Sequence, residues 1–110
     1  MKNLCAINPE VEAADIKALW FVSPKTQELY MMLVNLGVTI DAFCMEEVKF
    51  ETFLGKKALS IFELISSGEN YALILAAEDY EAVLKKYESY GLQRDKLFVW
   101  TDSRRELIYV

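Results

Sequence analysis

A chain of 110 residues, 54% hydrophobic and 26% charged, has the length and composition of one folded domain, which excludes a disordered or fibrous polymer. Its 12 basic and 17 acidic residues leave a net charge of −5, so neither nucleic acid nor an anionic membrane surface attracts it electrostatically. Histidine is absent, which removes the commonest general base and the commonest metal ligand, and no apolar run approaches the length of a membrane span.

The opening MKNLCAINPEVEAAD lacks the apolar core of a signal peptide, and residues 1–15 read as a linker or N-terminal lead-in. Residues 16–110 read as a single domain. Cys5 and Cys44 stand far apart without metal or redox spacing, so the expected setting is a reducing cytoplasm.

Ala18 to Val22 is a continuous apolar run, the pattern of a central strand covered on both faces. Ser23 then supplies a side-chain oxygen for a helix N-cap, and Pro24 suits the first helical position, where no N–H is needed. Leu29, Met32, Leu33 and Leu36 recur at helical spacing, Tyr30, Met31 and Val34 widen that stripe, and Gly37 closes the helix. A second strand is expected over Val38 to Cys44, with Asp41 as its one charge.

Glu46 to Leu54 reads as a loop with scattered aromatics, followed by a turn and short extended piece from Gly55 to Leu59. Ser60 and Glu63 have the spacing of a capping box ahead of a short helix that ends before Gly68. Tyr71 to Ala76 is the third strand. Glu78 and Asp79 then place negative charge in the first turn of a helix, where its dipole favours it. Tyr80, Val83, Leu84 and Tyr87 give that helix a buried stripe, Gly91 caps it, and Leu97 to Trp100 is the fourth strand. Leu107 to Val110 adds an apolar edge strand, which with the wide stripe on the first helix offers surfaces for a homodimer. This alternation predicts an α/β fold in three layers, an open parallel sheet of about four strands in the order 2-1-3-4 with helices on both faces. The crevice of such a sheet opens beside Ser23 to Thr26 on one side and Ala76 to Asp79 on the other.

VTIDAFC and the stretch LGKKALSIFELISSGENYALILAAEDYEAVLKKYESYGLQRDKLFVW carry a resemblance. Across residues 17 to 100 the chain resembles the small Rossmann-like domain of bacterial polysaccharide-biosynthesis proteins, such as the N-terminal domain of sugar acyltransferases, and of nucleotide-sugar-modifying proteins. The resemblance implies a Rossmann-like sheet, a nucleotide, nucleotide sugar or coenzyme A as ligand, a fused or partner catalytic domain, and a bacterial cytoplasmic setting. Two departures stand out. The turn after the first strand, Ser23-Pro24-Lys25-Thr26, lacks the glycines that let a backbone approach a pyrophosphate. The acidic residue expected to hold a ribose directly after strand two is Met45 here, with Glu46 one place late.

The candidate ligand-binding residues are therefore Ser23, Pro24, Lys25, Thr26, Glu46, Ala77 and Glu78. Two readings of the turn stand side by side. Either the helix N-terminus and Lys25 hold an anion, or Ser23 and Pro24 are an ordinary cap. No catalytic residue and no metal ligand is singled out, and Cys44 reads as a buried packing residue. The expected function is a non-catalytic accessory or interaction domain with a degenerate nucleotide site; the alternative is a domain that still binds a nucleotide, nucleotide sugar or coenzyme A at the first strand–helix turn.

Overall fold

The computed structural model describes residues 9–101 and 106–109. In chain order the elements are α1 (Pro9–Ala13), β1 (Ile16–Trp20), α2 (Thr26–Asn35), β2 (Ala42–Met45), β3 (Thr52–Phe53), β4 (Lys56–Ser60), α3 (Ile61–Ser66), β5 (Tyr71–Ala76), α4 (Ala77–Tyr87), β6 (Leu97–Thr101) and β7 (Glu106–Tyr109). The strands form one sheet in the order β3-β4-β2-β1-β5-β6-β7. From β4 to β6 neighbouring strands are parallel, while β3 and β7 add antiparallel edges.

The sheet is wider than the four strands expected. The expected four occupy adjacent places, β2-β1-β5-β6, and β4 extends the parallel part on the β2 side, with Phe43 opposite Ala58. Successive connections step outward from β1 to β2 and β4, then return across β1 to β5, so the order reverses between β1 and β5. At such a reversal the connections leave in opposite directions and open a crevice at the carboxyl ends of the strands.

The continuous apolar runs are explained by helices on both faces. Alternate residues of one strand enter different cores: Ala72 and Ile74 of β5 join Leu19, Leu33 and Phe43 on the α2 face, whereas Leu73 and Leu75 join Ile61, Leu64 and Val83 on the α3/α4 face. Side chains alternate across a strand, so a strand buried on both sides needs no polar position. Each buried Leu, Ile, Val or Phe side chain among them contributes about 1.5–3 kcal/mol when removed from water. Pro9–Ala13 is helical, and Val11 and Ala14 are buried in the α2-face core.

Element boundaries differ from the sequence pattern for physical reasons. The run Ala18–Val22 overshoots β1, which ends at Trp20: Phe21 keeps one bond to the sheet, its N–H to the Cys44 carbonyl, while its ring packs against Phe43, Phe50 and Phe53. Val38 and Ile40 are buried but precede β2; Asp41, between them and the strand, accepts the Lys17 N–H at 2.9 Å and donates its own N–H to the Lys17 carbonyl at 2.7 Å. The helix expected from Ser23 begins as regular α-helix at Thr26, after a turn. The capping box is present as expected: Ser60 Oγ accepts from the N–H groups of Phe62 and Glu63, and Glu63 Oε1 accepts from the Ser60 N–H. No helix among the described residues is long and apolar enough to cross a membrane.

Candidate functional site

The carboxyl ends of β1, β2 and β5 face two clefts that meet at Trp20, Val22 and Asp79. The first, of about 820 Å³, lies between the end of β2 and α4 and is walled by Trp20, Phe50, Phe62 and Tyr87. The second, of about 630 Å³, lies at the reversal point between β1 and β5, beside the start of α2. Five of the sequence-derived candidates line these clefts. Ser23, Lys25, Thr26 and Glu78 belong to the second and Glu46 to the first. Pro24 turns outward to a shallow groove along α2 with Met31 and Met32, and Ala77 is the first residue of α4.

The turn between β1 and α2 is chemically closed. Phe21 donates its N–H to the Cys44 carbonyl at 2.8 Å. The N–H groups of Val22 and Ser23 both point to Thr26 Oγ1, at 3.0 and 3.4 Å. Pro24 has no N–H, and Lys25 donates to Ser23 Oγ at 3.2 Å. The next three donors, those of Thr26, Gln27 and Glu28, reach the carbonyls of Ser23, Pro24 and Lys25 at 2.8, 3.1 and 3.0 Å. A helix N-terminus binds anions through N–H groups that have no partner inside the helix. Here every donor from Phe21 to Glu28 has an acceptor in the chain. The expected cap at Ser23 and Pro24 is not formed: the N-cap position of α2 is Lys25, without a side-chain cap bond, and Ser23 Oγ accepts the Lys25 N–H within the turn that precedes the helix. The residue with more effect is Thr26, whose side chain is buried and fastens the turn from inside.

The charges of the second cleft point the same way. Among the described residues, Glu28, Glu78 and Asp79 line it with one ammonium, that of Lys25. Burial first, and then the neighbouring Glu78 charge, raise the Asp79 carboxyl above its ordinary 3.8. A phosphate entering there meets carboxylates.

In the first cleft Glu46 is already engaged. Its Oε1 accepts from Lys86 Nζ at 2.6 Å and from the hydroxyl of Tyr87. Those two bonds hold its carboxyl below the usual 4.5, the Lys86 bond contributing most and the Tyr87 bond next. Tyr87 is moved the other way: burial, then its bond to Glu46, raise its phenol far above 10.0. The ring of Tyr87 packs against Trp20 at 5.9 Å and edge-on to Phe62 at 5.7 Å. Residues 46 and 86 are 40 positions apart, so no local spacing could have shown this contact.

Cys44 is fully buried in β2, and burial, with a smaller effect of Glu63, pushes its thiol far above the range in which thiolates form at neutral pH. It packs in the core on the α3/α4 face of the sheet. Among the described residues no group of three or more Cys, Asp or Glu side chains is placed to hold a metal ion. No family model, curated protein or solved structure matches the chain.

Proposed function

We propose that this protein is a non-catalytic, Rossmann-like accessory or interaction domain in which the phosphate-binding turn has been closed by side chains. One observation carries the reading: the N–H donors that would cradle a phosphate at the β1–α2 turn are all satisfied within the chain, two of them by Thr26 Oγ1. The strand order supports a Rossmann-like frame, since the parallel strands reverse direction of travel between β1 and β5. The carboxylates of Glu28, Glu78 and Asp79 around the crevice add an electrostatic barrier to anions. The resemblance of residues 17 to 100 supports a setting in bacterial cell-surface polysaccharide or nucleotide-sugar metabolism, with catalysis supplied by another domain or chain.

Thermal-shift measurements against nucleotide sugars, nicotinamide dinucleotides and coenzyme A test the reading. A ligand at a hundred times its Kd stabilises a folded protein by about 2.7 kcal/mol, a readily seen shift. The expected result is an unchanged melting temperature throughout. A rise that Lys25→Glu abolishes would instead establish a working nucleotide site at the turn.

A further inference from the structure

The first cleft is open and aromatic-walled, and its wall already holds one cation. Lys86 Nζ lies 5.5 Å from the centre of the Tyr87 ring and 2.6 Å from Glu46 Oε1. Ring face and carboxylate together are the combination that recognises ammonium and guanidinium groups. The same pair of chemistries recurs elsewhere in the lining of this cleft. Trp20 and Phe62 present aromatic surface to the cleft, and Glu47 and Asp79 line it. Among the described residues neither of these two carboxylates makes a hydrogen bond or ion pair. Lys86 is held by Glu46, which leaves Lys49 as the opposing charge in the lining.

We infer that this cleft docks a basic segment of a partner protein, with an arginine side chain laid over Trp20 and Phe62 and its guanidinium directed to Asp79 and Glu47. Three features support that occupant. The cleft is a trough rather than an enclosed chamber, continuing past Trp20 and Val22 into the second cleft, so an extended chain can lie along it. Val22 and Phe62 are exposed apolar residues on its rim, and the stem of an arginine covers such surface while its head stays polar. Glu78 and Glu28 continue the negative lining in the second cleft, and the chain as a whole carries −5, which steers a basic partner toward it. An arriving cation also offsets the burial, and after it the Glu78 charge, that raise Asp79. The inference rests on the reading of the domain as an interaction module, since a phosphate-binding crevice would require the opposite charge.

The test uses the whole chain, an acetylated and amidated Gly-Arg-Leu-Arg-Gly peptide, and the same peptide with citrulline in place of arginine, which keeps the shape and removes the charge. Titration is followed by the indole and amide NMR signals of Trp20, Phe62 and Asp79. The arginine peptide is expected to move those signals and the citrulline peptide to leave them in place. Glu47→Gln with Asp79→Asn should weaken binding by about fivefold or more, on the scale of exposed charge pairs. Glu12→Gln with Glu69→Gln removes the same charge from exposed sites that line neither cleft and should change affinity less than twofold. Equal binding of both peptides, equal losses in the two double variants, or shifts spread over the surface would overturn the inference. So would absence of binding. A nucleotide response in the thermal screen overturns the closed-turn reading, whereas failure of the peptide with a flat screen overturns the basic-segment inference alone.

Discussion

At the scale of single residues, Thr26 decides what the turn after β1 can do. Its hydroxyl oxygen accepts two backbone donors from the residues that would otherwise face a ligand, and its side chain is buried while doing so. Removing the oxygen but keeping the shape, in Thr26→Val, leaves the Val22 and Ser23 N–H groups without an acceptor. The cost of such a loss is about 1–3 kcal/mol, toward the lower end here because Val22 is near water. Thr26→Ser retains the oxygen and should lose much less. Urea unfolding with an unchanged denaturant slope measures both, and equal losses would assign the effect to the Thr26 methyl group instead. The hydroxyl's role was not legible in the sequence. Threonine at the start of a helix reads as a cap candidate, whereas here it points back toward the strand end that precedes the turn. What was legible was the lack of glycine, and the structure supplies the reason: with Ser23 and Thr26 oxygens as acceptors, this turn is satisfied from within.

At the scale of elements, α4 ends at Tyr87 and runs into a single 3-10 turn, Glu88–Tyr90, and it is this turn rather than α4 itself that Gly91 caps. Gly91 has φ of +107°, and a Cβ built there would stand 3.1 Å from Ile65 Cγ2 on α3. Its N–H donates to the Glu88 carbonyl and the Leu92 N–H to the Tyr87 carbonyl, so the turn is hydrogen-bonded and cannot shift freely. Gly68 also has positive φ, +78°, but open space where its Cβ would lie. Alanine at Gly68 should therefore cost about 1 kcal/mol, the backbone penalty alone. Alanine at Gly91 should cost about 1–3 kcal/mol because strain and crowding combine. Thermal melts of the two variants check the ordering, and a Gly68→Ala loss as large as that of Gly91→Ala would sink the argument from Ile65. Helix ends of this kind were readable, since glycine at a C-terminus has a specific backbone cause. Strands were readable where both faces are buried, as in Tyr71–Ala76, because the apolar run then coincides with the pairing. They were misread where burial and pairing separate. Phe21 is packed beyond the last β1–β2 register pair, with only its N–H still reaching the Cys44 carbonyl, and β4, with Lys56 and Lys57 at its start and β3 along its outer edge, is paired but too polar to resemble a central strand. β3 has two residues and no pattern to find.

At the scale of the whole molecule, the bond between Glu46 and Tyr87 joins the end of β2 to α4 and gives one contact a titrating group at each end of the pH range. The signs follow from linkage. Glu46 has a folded-state value below 4.5, so its contribution is fully present above that pH and is lost as pH falls through the lower folded value. Tyr87 has a folded-state value above 10.0, so its contribution is fully present below pH 10.0 and is lost as pH rises toward the higher folded value. Stability from this contact is thus flat across neutral pH and falls at each extreme. Glu46→Gln keeps an acceptor for Tyr87 but cannot titrate, so its melting temperature should fall less than that of the unsubstituted chain as pH is lowered below 4.5. Tyr87→Phe removes the phenol and should flatten the alkaline limb above 10.0, while its acid limb also weakens because one of the two bonds that lower Glu46 is gone. Melting curves of the three proteins across the full pH range decide the matter. Parallel acid limbs for Glu46→Gln and the unsubstituted chain would show that other carboxylates govern acid unfolding. The Glu46 carboxylate also holds Lys86 beside the Tyr87 ring, so a Glu46→Gln chain that keeps its fold at neutral pH should release that ammonium into the aromatic cleft and weaken an arginine guest by direct competition.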